Sequence, residues 1–200
     1  MAERVDHASR KREIALKATH LFSQVGYDSV SLIRIAEEAG VARTILYRYF
    51  KDKREVFDAA IRANTGQLLD DCLALAESSG TSAPERLKAI CGLVAEALFQ
   101  RREFLAAVYD FVLAMIRQGE DMRGRIAEFT KGTRGLLREL VARGVADGSF
   151  APETDPEQAA SMLFGLLELC TSRIVLGVER DACAAKARFA DYIERLSSHS

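Results

Sequence analysis

Leu32, Ile35, Ala36 and Ala39 recur at i, i+3, i+4 and i+7, the spacing of one buried helix face. Leu46, Tyr49 and Phe50 begin a second face of the same period beyond Gly40. Before this pair, Ile14, Ala18, Leu21, Phe22 and Val25 form the inner stripe of a first helix, with Ser9 as its expected cap and Gly26 at its end. Arg12 stands where the glutamate of a capping box would, and residues 1–9 read as a polar, frayed lead-in. A long fourth helix is expected from Lys53 to Glu77, with Val56, Phe57, Ala60, Ile61, Leu68, Leu69 and Leu73 inward. The stretch 78–81 is a loop, and Ser82-Ala83-Pro84-Glu85 is a capping box that opens a fifth helix reaching about Gln100. The sixth, Phe104 to Arg117, is rich in large apolar groups and stops at Gly119.

The seventh helix spans about Asp121 to Ala146, with Ile126, Phe129, Leu136, Leu137, Leu140 and Val141 inward. Gly124, Gly132, Gly135 and Gly144 each weaken it by up to about 1 kcal/mol, which suits either close helix packing or an element that bends. Asp155-Pro156 caps the eighth, whose apolar residues from Ala159 to Leu176 run so far round that more than one face must be buried. The ninth, Ala182 to Leu196, is amphipathic, with Cys183, Ala187, Phe189, Ala190, Ile193 and Leu196 inward, and a Ser-His-Ser tail follows. Turn-rich punctuation at strand-like intervals is missing, and there are only three prolines. The fold class is therefore all-α, with about nine helices.

The small residue Ala36, the turn at Gly40 and the large apolar Leu46 have the layout of a helix-turn-helix, whose second helix lies in a DNA major groove. Gly40 sits where the chain must turn and a positive φ is favoured. Arg43, Thr44, Tyr47, Arg48 and Lys51 form one continuous face opposite Leu46 and Phe50, carrying three cations and no carboxylate. Arginine can bridge guanine O6 and N7, while hydroxyls and lysines suit phosphate oxygens. A solvated basic face would look the same, and it is the turn spacing that favours DNA. Ser31 is a good cap for the second helix, whose free amides suit a phosphate, and Arg34 points away from its apolar side. Charge agrees: residues 1–55 hold eleven Lys/Arg against eight Asp/Glu, a net of +3 in a chain whose total is −1. A basic head on an acidic body places a polyanion at the head.

Ala18, Leu21-Phe22, Gly26-Tyr27, Ser31, Ile35-Ala36, Ala39-Gly40-Val41, Leu46 through Phe50 and Lys53 together make residues 10–58 resemble the DNA-binding domain of TetR-family (tetracycline-repressor-type) transcriptional regulators. The stretch from Asp155 to Gln158 resembles that family more modestly. The resemblance implies a DNA-binding domain over residues 1–55 and a helical effector-binding and dimerisation domain over 56–200. It also implies a double-stranded operator, a small effector and a second copy as partners. Ser31, Arg34, Arg43, Thr44, Tyr47, Arg48, Tyr49, Lys51 and Lys53 are the expected DNA-facing residues. Two positions depart from the family's wording. Ala42 stands where a capping serine is common, a loss of about 1 kcal/mol, and Ile45 stands where Gly-Thr is usual, free to touch a thymine methyl or simply to pack.

No apolar run approaches the roughly twenty residues that span a bilayer, and the N-terminus lacks an apolar signal core, so no membrane partner and a cytoplasmic location are expected. Cys72, Cys91, Cys170 and Cys183 have no zinc-site spacing, and His7, His20 and His199 are the only histidines. Buried reduced thiols, no metal and no cofactor are the expectation, with a redox pair left open. Body acids such as Asp110 and Glu168 have no histidine, activated nucleophile or phosphate-cradling loop beside them, so an enzyme is not expected. An adaptor that keeps the helix-turn-helix only as scaffold is the alternative, and the basic face speaks against it.

Phe104, Val108, Tyr109, Phe111, Val112, Met115, Phe129 and Met162 exceed what the outer faces explain and are expected to line an effector cavity, with Tyr109, Glu168 and Thr171 as its polar groups. A solid core of the same residues is the other reading. Leu163, Leu167, Ile174, Phe189 and Ile193, on the last two long helices, are expected to form the dimer interface.

Overall fold

The computed structural model describes residues 2–78 and 80–197, and the side chains from His7 onward. Among the described residues there are nine helices and no strand. They are α1 (Ala2–Val25), α2 (Leu32–Ala39), α3 (Arg43–Tyr49), α4 (Lys53–Ala76), α5 (Ala83–Gln100), α6 (Arg102–Arg117), α7 (Arg123–Ala146), α8 (Pro156–Val175) and α9 (Cys183–Ser197). The Ser-His-Ser tail, His199 within it and Ser79 of the expected loop lie outside the described residues.

The caps fall where the short polar side chains stand. Ser31 accepts from the Arg34 amide, and Ser82 and Glu85 form a reciprocal capping box. Asp155 accepts from the amides of Glu157 and Gln158, with Pro156 filling the first turn, where no N–H is needed. Asp155→Ala leaves those donors to water, so a loss of about 1 kcal/mol is expected in urea unfolding. An unchanged midpoint would mean that the cap is redundant.

One boundary differs by two turns. α1 begins at Ala2, and Ser9 lies within it instead of capping it. The stretch AERVDHASRKRE contains neither glycine nor proline and is rich in helix formers, so nothing local stops the helix at Ser9. The inner stripes also need small corrections of register. In α4, Cys72 and Ala76 are buried and Leu73 is exposed; in α7, Ile126 is exposed; in α1, so is Val25. In α9 the stripe is Ala185, Phe189 and Ile193, which leaves Ala187 outside. Cys72, Cys91 and Cys170 are buried, whereas Cys183 is exposed. Burial pushes the Cys72 thiol up to about 11 and the Cys91 thiol to about 12, so both stay protonated and inert.

The chain forms two compact units, 1–67 with 103–125 and 68–102 with 126–200, a partition unlike the division at residue 55. In the first, a ring cluster gathers α6 to the amino-terminal helices. Phe57 packs edge-on to Phe22 at 4.7 Å between centroids, and Phe111 lies 4.9 Å from Phe57 and 4.6 Å from Tyr27. Phe104 joins at 5.9 Å from Phe57. Arg54 forms a two-point pair with Glu120, and Asp58 pairs with Arg125. These contacts hold the 117–125 stretch to the first turns of α4.

The second unit is built on α5, which packs against α8 and α9, with Leu87, Ile90, Leu137, Leu163, Leu167, Phe189 and Ile193 in its core. Close packing explains two of the four glycines of α7. A Cβ on Gly144 would meet Phe150 ring atoms at 2.3 and 2.4 Å, and one on Gly132 would meet Leu69 at 2.6 Å. Gly124 and Gly135 have nothing within 4 Å of that position.

Candidate nucleic-acid interface

α2, the turn and α3 are fixed from below. Ile35, Ala36 and Ala39 are buried on α2, and Leu46 and Phe50 are almost wholly inaccessible under α3. Gly40 takes φ 66°, and its amide and that of Val41 turn back to the last carbonyls of α2. Ala42, the cap position before α3, gives it no side-chain hydrogen bond, so the missing serine is a real loss here.

With Leu46 inward, Arg43, Thr44, Tyr47 and Arg48 stand exposed, and Lys51 follows just past the helix. α3 contains no carboxylate to compete for this face. Arg43 donates to the Tyr47 hydroxyl at 3.3 Å and lies over that ring at 5.5 Å, so the guanidinium is held along the helix surface. Ser31 and Arg34 are exposed on α2, Ile45 is half-buried, and Tyr49 is half-buried at the end of α3.

Lys53 differs from the free cation that the sequence suggests. Its ammonium donates to the carbonyls of Tyr27 at 2.8 Å and Asp28 at 3.0 Å and lies 4.4 Å from the Tyr27 ring centre. Burial lowers its pKa. Two of its three donors therefore tie the α1–α2 loop to the head of α4, with one left for a phosphate.

Three further residues at this face escape sequence reasoning. Lys11 lies over the Phe50 ring at 4.9 Å and bonds to Glu55 at 2.6 Å. Glu55 also accepts from the Lys51 amide at 2.9 Å. The Lys11 and Lys51 bonds, in that order, hold its carboxyl below the usual range. His7 rests on Tyr49, ring centres 4.6 Å apart. These contacts join segments more than forty residues apart in the chain, and no local pattern signals them.

The residues expected around an effector fall in both units. Phe104 and Phe111 belong to the ring cluster of the first, where Met115 is also buried and Val108, Tyr109 and Val112 are half-buried. In the second, Phe129 and Thr171 are half-buried, while Met162 and Glu168 are exposed. Thr171 donates to the Leu167 carbonyl of its own helix at 2.8 Å. The second unit contains a cavity of about 20 Å³, room for about one water. Leu69, Cys72, Ile90, Val94, Thr133 and Leu167 are among its walls, and none of the ten expected effector residues borders it.

Leu163, Leu167, Ile174, Phe189 and Ile193 are all 5% exposed or less within a single chain. Side chains committed to their own core cannot also form a surface, so any interface on α8 and α9 has to use their outward residues.

A tight turn at Gly40 between two helices packed from below, an exposed cationic face on the second, and only helices among the described residues define a helix-turn-helix protein. The description "Bacterial regulatory proteins, tetR family" matches residues 14–60, and "BetI-type transcriptional repressor, C-terminal" matches residues 83–198. The chain belongs to the TetR family of bacterial transcriptional regulators. It is 36% identical over 163 residues to the HTH-type transcriptional regulator BetI of Klebsiella pneumoniae, covering 80% of this chain and 77% of that one. Among solved structures, the fatty acid degradation regulator FadR of Bacillus halodurans superposes with a TM-score of 0.75 at 26% identity, covering 92% of this chain and 94% of its own. FadR of Bacillus subtilis, solved in complex with stearoyl-CoA, superposes with a TM-score of 0.65 at 25% identity, covering 93% and 97%. No helix among the described residues is long and apolar enough to cross a membrane.

Proposed function

We propose that the chain is a repressor that binds a palindromic operator as a homodimer and is released by a small, mostly apolar effector. Residues 1–55 would read the DNA, and residues 56–200 would hold the effector and the second copy. The exposed, carboxylate-free face of Arg43, Thr44, Tyr47 and Arg48 on α3 carries this reading. Its cations have no use in the core beneath them, and an adaptor without DNA would have no need of them. Arg48 is assigned to a base edge and Lys51 to a phosphate.

Arg48→Ala should cost about 1–3 kcal/mol on the operator and relax one position of each half-site. Lys51→Ala should weaken every sequence alike and lower the salt slope by about one. Titration of both variants on operator and random duplexes separates the roles. Equal loss on the two duplexes for Arg48→Ala would remove it from base reading.

The effector reading is supported by stearoyl-CoA in the Bacillus subtilis FadR and by the apolar walls of the cavity in the second unit. That cavity is far below the ~300 Å³ of an ordinary ligand pocket. An effector would therefore have to part the core side chains around Leu69, Ile90 and Leu167. A long-chain acyl compound should release the operator and, by linkage, bind the DNA-free form more tightly by the same factor.

A further inference from the structure

The first turns of α1, expected to be frayed, instead form a helix that reaches the end of α3. Ile14 is the first buried residue of α1 among the described side chains, so none of the residues from His7 to Glu13 is itself buried in the core. They do carry His7 and Lys11, four residues apart on one face of the helix. His7 meets Tyr49, with ring centres 4.6 Å apart and planes inclined at 34°. Lys11 covers Phe50 and grips Glu55, which in turn holds the Lys51 amide. Every residue from Tyr49 to Lys51 is thus touched, directly or through Glu55, from the start of α1.

We propose that these turns belong to the DNA-reading apparatus, with His7 as the positioning residue that sets the Tyr49 ring against the operator backbone. The proposal rests on the reading of α3 as the DNA-facing helix. Tyr49 closes α3 next to Arg48, and its phenol suits a phosphate oxygen. A half-buried tyrosine at a helix end has open space to rotate into, and fixing it on binding costs entropy. The His7 ring lies against it within the range of favourable ring pairs and holds the phenol in place before DNA arrives. His7 is itself exposed, so its removal leaves the core untouched.

Operator and random-duplex titrations of His7→Ala, His7→Phe and Tyr49→Leu test this, with thermal melting as the control for folding. His7→Ala should weaken operator binding about three- to tenfold, the worth of one ring pair, at an unchanged melting temperature. His7→Phe keeps a ring at the position and should return binding to within about twofold of the parent. Parent-like binding by His7→Ala, alongside a clear loss for Tyr49→Leu, would overturn the positioning role and leave the reading of α3 intact. A His7→Phe as weak as His7→Ala would also overturn it, because the nitrogens and not the ring would then matter. If neither His7→Ala nor Tyr49→Leu changes affinity, Tyr49 is not at the DNA face, and the proposal falls together with that assignment.

Discussion

Gly144→Ala should unfold at lower denaturant than the parent chain, while Gly135→Ala in the same helix should withstand more. The two changes are chemically identical, and only their surroundings differ. A methyl on Gly144 would lie 2.3 and 2.4 Å from the Phe150 ring and 3.0 Å from the Ala83 Cβ. Phe150 is fully buried and cannot swing away. Its amide also bonds to the Gly144 carbonyl at 2.9 Å, which ties the two backbones together. Overpacking of this kind costs about 1–3 kcal/mol, more than the helix gains from alanine.

At Gly135 nothing lies within 4 Å, so only the propensity gain of up to about 1 kcal/mol remains. Gly132 falls between the two, since the atom it would strike is the end of the flexible Leu69 side chain. Urea midpoints at constant slope measure all three. Destabilisation of equal size at Gly135 and Gly144 would mean that α7 needs its glycines for bending and not for packing.

Those glycines mark the limit of what could be read along the chain. Their number in one helix is visible in the sequence and suits packing or bending alike, but only the position of Phe150 tells Gly144 from Gly135. The features that proved legible are local. Ser31, Ser82 and Asp155 announce their helices because a short side chain must meet an amide two or three residues on. Gly40 announces the turn because its φ is positive. The outward face of α3 follows from Leu46 and Phe50 by helical period alone.

What could not be read is non-local. Phe104 and Phe111 look like the walls of an effector space until Phe22, Tyr27 and Phe57 are seen against them. Lys53 looks like a free cation until its two carbonyls appear. A hydrophobic count on α8 requires two buried faces but does not say which residues share them, so it cannot separate Leu163 and Leu167, which lie in the core, from the outward residues.

The surface that α8 does present leads to the last expectation. Leu169→Glu should give a folded monomer that has lost most of its operator affinity, whereas Leu167→Glu should not fold. Leu169 is 45% exposed and Met162 53%, and beyond the helix end Leu176 and Val178 are open as well, at 75% and 53%. Gly165 lies between the first two and has nothing within 4 Å of where a Cβ would be. A helix interior gains from alanine, and a single chain has no use for a glycine there. A second copy approaching along Met162, Gly165 and Leu169 would use it, because the two backbones could then come close. Two apolar stripes related by a twofold axis would bury the face that one chain leaves open and would pair two recognition helices across successive grooves.

A glutamate at position 169 would have to be desolvated in that interface and would stay in water without it. Monomers then bind half-sites singly, and losing the second, tethered contact lowers apparent affinity by about 10²–10⁴-fold. Leu167, only 5% exposed in the core of its own chain, offers no such escape for a charge. Sedimentation equilibrium, circular dichroism and operator titration of the two variants separate the cases. A Leu169→Glu protein that stays dimeric at micromolar concentration would place the interface elsewhere on the molecule.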